Sequence, residues 1–215
     1  MRHLVLSLLL AAGAISLAPE SVSATEAIRT PGQDVAQATM RVFDPTQPPG
    51  GYVSFCRRQF PECAAKTPAA PRPRLTAQRW EQLNVINTTV NVTVVPVTDL
   101  DLYKTNEFWA YPEGSGDCED YVLAKKRMLI EHGWPASALL ITVVLDENNL
   151  GHAVLTVATD RGDFVLDNKT FEILNWRETP YQFQKRQSQS DPLHWVSLRR
   201  DDPLLPAPSG PVAAK

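Results

Sequence analysis

Residues 114–135, GSGDCEDYVLAKKRMLIEHGWP, place Cys118 among three carboxylates where a run of helix-forming residues begins. Asp117 is a good N-cap for a helix starting at Cys118, and Asp120 falls near the position a capping box would use. Tyr121, Ala124 and Met128, with Val122 and Leu129, supply an apolar face, and Gly133 and Pro135 terminate the helix. Negative neighbours disfavour a thiolate, whereas the unpaired N–H groups and the positive dipole end of a helix favour one. Two additions would let a reactive thiolate survive beside Asp117, Glu119 and Asp120. One is an imidazolium close to the sulfur; the other is a divalent cation that occupies the flanking carboxylates.

Downstream of this helix lie three strand-like runs, ALLITVVL at 138–145, HAVLTVAT at 152–159 and FVLDN at 164–168. The turn-forming DENNLG and DRGD separate them, which predicts consecutive antiparallel pairing. Upstream, Thr76 is a plausible cap for a helix carrying Trp80, Leu83 and Ile86, and the β-branched run Val90–Val97 predicts a strand after it. A helix followed by an antiparallel meander points to an α+β fold.

His152 opens the second strand of the meander and Asp167 closes the third. An even loop between the strands puts both side chains on one sheet face, and an odd loop puts them on opposite faces. A two-residue turn at Arg161-Gly162 gives the correct face but leaves the pair offset. Cysteine, histidine and aspartate in this order suit a thiol protease or acyltransferase, with Cys118 as nucleophile, His152 as general base and Asp167 as its orienting partner. The pattern alone is weak, because a buried cysteine at a helix start also serves as a small core residue.

The chain has 215 residues and a formal net charge of −3, a balance that gives no reason to expect nucleic acid. Its start, MRHLVLSLLLAAGAISLAPESVSA, has a basic end, a short apolar run and small residues at Val22-Ser23-Ala24, the pattern of a secretory signal peptide over 1–24. No second apolar segment reaches membrane-spanning length. Residues 25–50 and 203–215 are rich in Pro, Ala, Gly and Ser and are expected to be flexible, which leaves one folded domain over 51–202; within it KTPAAPRPR at 66–74 reads as a short linker or extended loop.

The blocks GSGDCEDYVLAKKRMLIEHGWP and GHAVLTVATDRGDFVLDN, and more loosely FCRRQFPEC, VINTTVN and YQFQKRQSQSDPLHW, resemble the bacterial transglutaminase-like cysteine proteinases. That family includes the LapG-type periplasmic proteases that release adhesins from the cell surface. The resemblance implies a papain-like, transglutaminase-like fold with the nucleophile at the N-terminus of a helix packed on an antiparallel sheet. Cys118 then matches the nucleophile, His152 the base and Asp167 the third member. It also implies calcium as a cofactor, held through Asp117 and Glu119; a helix cap without metal is the alternative, and Asp120 is either a further ligand or part of that cap.

A secreted, periplasmic peptidase acting on a protein substrate follows from these readings, with a surface adhesin as the substrate the resemblance suggests. The same residues also fit transamidation, and a calcium-dependent binding module on the same fold is the non-catalytic alternative. Regulation by a membrane partner has no support in the sequence. In an oxidising compartment Cys56 and Cys63 are expected to form a disulfide, leaving Cys118 unpaired; two reduced core cysteines are the alternative. Trp109 is expected to be a core aromatic, with a place in the substrate cleft as the second reading.

Overall fold

The computed structural model describes residues 38–64 and 71–200. The expected signal peptide at 1–24 and the tail at 203–215 lie outside the described residues. Within them, no helix is long and apolar enough to cross a membrane.

The helix that begins at Cys118 spans Cys118–Glu131 and is the fifth along the described chain, α5. It ends as the sequence predicts: Gly133 takes φ +83°, while Gly133 N–H and Trp134 N–H donate to Ile130 O and Leu129 O at 2.9 and 3.0 Å. This pair of bonds is the Schellman arrangement, which a residue without Cβ adopts at no steric cost. The helix before it in the core, α3, runs Ala77–Thr93, with Thr76 Oγ1 accepting from Arg79 N–H at its start.

The strand expected at Val90–Val97 shrinks to β2, Val95–Pro96, because α3 continues through the β-branched residues. Leu83, Ile86, Asn87 and Val90 recur at helical spacing and are buried. Val90 and Val94 pack on Tyr121 of α5, so burial of a helical stripe outweighs the local β-preference. β2 pairs in parallel with β3, Ser115–Gly116, which delivers the chain into Cys118.

The main sheet has seven strands, all pairing antiparallel, in the order β1-β9-β8-β4-β5-β6-β7. These are β1 Pro45–Thr46, β4 Leu139–Leu145, β5 Gly151–Thr159, β6 Gly162–Leu166, β7 Leu174–Asn175, β8 Gln182–Gln187 and β9 Trp195–Ser197. The three predicted runs form the consecutive meander β4-β5-β6. Leu83, Ile86 and Leu129 close one sheet face over Leu139, Ile141, Leu155 and Val157, while Met40, Val144, Val154, Val165 and Phe183 form a smaller cluster.

The expectation of a flexible segment through residue 50 is corrected from residue 38 onward. Met40 is buried and its N–H donates to Asp163 Oδ2 at 2.8 Å; β1 pairs with β9, and helix α1, Gly50–Arg58, begins inside the expected flexible stretch. Asp163 also accepts from Arg72 Nη1 at 2.6 Å and Arg186 Nη1 at 3.2 Å, which anchors the end of the expected 66–74 linker. A fully buried carboxylate must find donors, and these segments supply them. Two short helices, α2 at Phe60–Ala64 and α4 at Asp99–Tyr103, and two 3-10 turns at Ala136–Ala138 and Trp176–Glu178 complete the described elements.

Candidate active site

The β5–β6 turn consists of Asp160 and Arg161, with Thr159 opposite Gly162, one residue earlier than the turn expected at Arg161-Gly162. The loop length stays even. His152 and Asp167 therefore share a face, and the earlier turn reduces their offset. The final paired residues are Leu155 and Leu166, so Asp167 lies one step beyond the ladder and diagonally across from His152. His152 Nε2 and Asp167 Oδ1 meet at 2.9 Å, with both side chains almost fully buried.

Asp167 is held from every side. Its Oδ1 also accepts from Lys169 N–H at 3.1 Å, and Tyr181 hydroxyl donates to Oδ2. Asn91 of α3 donates to the Asp167 carbonyl at 2.8 Å. Burial pushes this carboxyl up, but the bonds from His152 and Tyr181 and the charge on His152 outweigh it and hold the group below its ordinary range. Tyr181 also lies edge-on to the His152 ring at 5.5 Å between centroids. Sequence reasoning missed Tyr181; it precedes an alternating strand, and nothing in its spacing ties it to Asp167.

Cys118 is the free cysteine among the described residues, and it is buried. Its sulfur receives the N–H of Ala153, the residue after His152, at the part of β5 beyond the last residue paired with β6. The helix start thus sits where the β6 side of the sheet opens. The thiol also lies 3.1 Å from Glu119 Oε2. Burial first, then the charges of Glu119 and Asp117, push the thiol well above its ordinary pKa, against the Ala153 N–H. The conflict expected from the sequence is real in the fold.

Asp117 occupies the N-cap position without making a side-chain cap bond. Its Oδ2 instead accepts from Asp99 N–H at 3.3 Å. Asp120 turns one oxygen to Ala110 N–H at 2.8 Å and also takes the Asp117 N–H. Asp99, Asp117 and Asp120 bring carboxylate oxygens within 4.8 Å of one another, as do Asp117 and Glu119 together with the Cys118 sulfur. Asp99 Oδ1, Asp117 Oδ1, Glu119 Oε1 and Asp120 Oδ2 are buried without a hydrogen-bond partner. Burial, and next the Asp117 charge, push Asp99 up to about 6. Burial is also the largest influence on Asp120, which is pushed up to about 8. Asp99 carries no motif in the sequence, because it lies on α4, eighteen residues before Asp117.

Cys56 and Cys63 form a disulfide that closes the α1–α2 corner. From that corner Arg58 donates to Trp109 O at 2.7 Å and lies over the Phe108 ring at 4.1 Å. Trp109 is a core residue, edge-on to Tyr52 with its indole N–H on Glu107.

A cysteine at a helix start, set against an antiparallel sheet that carries a buried His–Asp pair, defines the transglutaminase-like cysteine peptidase class. The family described as bacterial transglutaminase-like cysteine proteinase matches residues 42–203, and the chain belongs to it. Among solved structures the chain is similar to Legionella pneumophila LapG, at 26% identity over 50% of this chain and 62% of that one, with a TM-score of 0.45. The calcium-bound form of that protein aligns at 23% identity over 59% of this chain and 74% of that one, with a TM-score of 0.49. The first of these alignments thus spans less than two thirds of the LapG chain. No curated protein matches the chain.

Proposed function

We propose that the protein is an exported, periplasmic cysteine peptidase that hydrolyses a peptide bond in a protein substrate through Cys118, His152 and Asp167. The observation that carries this reading is the buried 2.9 Å contact between His152 Nε2 and Asp167 Oδ1. It commits one ring nitrogen and leaves Nδ1 for the thiol, whose sulfur is bonded to the N–H of the next residue along β5. Sγ attacks the substrate carbonyl carbon, and the Cys118 N–H at the helix start is the oxyanion donor we assign. Collapse breaks the C–N bond as the imidazolium protonates the leaving amine. Water, deprotonated by His152, then cleaves the thioester and frees the carboxylate product.

Calcium is the cation this reading places on Asp117 and Glu119, with Asp99 and Asp120 joined to them by the fold. Asp99, Asp117 and Asp120 bring carboxylate oxygens within 4.8 Å of one another, and Glu119 joins through Asp117; each of the four has a buried oxygen without a partner, and hard oxygen donors of this kind fit such an ion. Bound there, it would neutralise the carboxylates that oppose a thiolate at Cys118. The Cys56–Cys63 disulfide supports an oxidising compartment. A surface adhesin is the substrate class suggested by the family resemblance.

The test is digestion of an unbiased peptide library by the purified protein, with calcium and with chelator, read by mass spectrometry. Cleavage by the wild type that disappears in Cys118→Ala and weakens on chelation supports the reading. A folded, calcium-supplied wild type that cleaves nothing, with Cys118 unreactive to iodoacetamide, overturns it.

A further inference from the structure

The β5–β6 ladder ends at Leu155 and Leu166, so His152 and Asp167 both lie beyond its last pair. The turn between β4 and β5, residues 146–150, bridges this gap and leads through Gly151 into His152. Asp146 organises that turn. Its buried carboxylate accepts from Asn148 N–H at 2.8 Å and Leu150 N–H at 2.9 Å through Oδ1, and its backbone N–H donates to Leu150 O at 2.9 Å. The other oxygen, Oδ2, takes the Lys169 ammonium at 2.6 Å. Lys169 belongs to the loop after β6, and its backbone N–H donates to the same Asp167 oxygen that meets His152 Nε2. The turn also reaches the Tyr181 side of Asp167: Asn149, at φ +60°, accepts from Gln182 Nε2 at 3.0 Å, and Gln182 follows Tyr181.

We propose that Asp146 and Lys169 are positioning residues whose ion pair braces the turn leading into His152 against the loop carrying Asp167, and so sets the His152–Asp167 contact. This rests on the peptidase reading above. Beyond the end of a ladder the two strands no longer exchange backbone bonds, and their side chains splay unless something ties them. A buried carboxylate with three donors and a lysine side chain only 20% exposed form a stiffer tie than a solvated surface pair. The tie acts on both members of the pair: on His152 through the turn, and on Asp167 through the Lys169 backbone N–H. Its charges persist across the neutral range. The bond from Lys169 holds the Asp146 carboxyl down at about 2, against its burial. Burial pushes the Lys169 amine down, but the bond and charge of Asp146, then the charges of Glu147 and Asp167, outweigh it and raise the group. Glu147 lies 3.6 Å from the same ammonium and is half exposed, so it is the lesser partner.

The experiment compares wild type with Asp146→Asn, Lys169→Met, the double variant and Lys169→Arg, as full chains in calcium buffer. Asp146→Asn keeps an oxygen for the N–H groups of the turn but offers Lys169 an amide in place of a charge, and Lys169→Met removes the ammonium while sparing the N–H on Asp167. The readouts are iodoacetamide labelling of Cys118 at about pH 7, melting temperature, and the downfield resonance of the proton between His152 Nε2 and Asp167. Each single charge-removing variant should slow labelling about tenfold, and the double variant should be no slower than either, because both break one link. Lys169→Arg should restore most of the rate. The proton resonance should move upfield in the three slowed proteins and stay near its wild-type position in Lys169→Arg. Wild-type rates with an unmoved resonance in both single variants overturn the proposal. So does additive slowing in the double variant, or slowing with a lower melting temperature and an unmoved resonance, the mark of a turn that only stabilises the hairpin. A wild type that labels slowly although its Nε2 proton resonance is present counts against the peptidase reading, and the resonance shifts alone then decide the brace.

Discussion

His152 and Asp167 are diagonal neighbours at the open end of the β5–β6 hairpin, and they meet at 2.9 Å only because the turn falls at Asp160-Arg161. The contact is buried, and Tyr181 and Lys169 supply the remaining donors that fix the carboxylate. A carboxylate so constrained can hold one imidazole orientation, which is the role the third member of such a triad performs.

Replacing His152 by Ala should therefore reduce Cys118 alkylation and any peptide hydrolysis by about 100-fold or more. Tyr181→Phe is the finer probe. It removes one bond to an ionised carboxylate and should slow the reaction by about tenfold to about a hundredfold, as expected when a bond worth about 1.5 to 3 kcal/mol is lost. Rates and melting curves measured together separate this from unfolding, and a Tyr181→Phe protein with unchanged rate would sink the assignment.

Calcium stabilisation should depend on pH. Asp99 and Asp120 have folded pKa values raised to about 6 and about 8, so between the unfolded carboxylate range and pH 8 the metal-free native state binds more protons than the unfolded chain. Its stability is highest below the unfolded pKa and falls as pH rises through those folded values. Calcium bound as proposed would replace the protons. Its effect on melting temperature should be larger at about pH 8 than at about pH 5, and Asp99→Asn should shrink it. Equal shifts at both pH values would argue against this cluster as the ion site.

Gly116→Ala should damage the same region. A Cβ at this position would lie 2.5 Å from Asp120 Oδ2 and 2.7 Å from Asp120 Cβ, so Asp120 must move away from Ala110. The expected outcome is weaker calcium binding by calorimetry and slower Cys118 labelling. Wild-type affinity in Gly116→Ala would show that Asp120 is not a ligand.

Reduction of the Cys56–Cys63 bond should cost about 2.5 kcal/mol of stability, the chain-entropy value for so short a loop. The corner it closes carries Arg58, which holds the Trp109 carbonyl, and Glu62, which pairs with Arg127 of α5 at 3.1 Å. Chemical denaturation of a Cys56→Ala/Cys63→Ala protein measures the loss directly.

The helix from Cys118 and its stop, the three-strand meander and the α+β class were legible in the sequence, because each follows from local pattern: a cap position, a Gly-Trp-Pro ending, alternating apolar runs. Cys118, His152 and Asp167 could be singled out by order and residue type. The extension of α3 through Thr93 could not be foreseen, since local β-preference and helical burial conflict there and only the partner helix decides. The same holds for residues 38–50, which look like linker until the buried Asp163 and the β9 edge recruit them. Asp99, Lys169 and Tyr181 were invisible because their significance lies in what faces them across elements. Periodicity determines which side of a strand or helix a residue occupies, whereas the carboxylate cluster and the His–Asp contact depend on turn register and long-range packing. Those interactions have no short-range sequence signature, so the tertiary structure alone decided them.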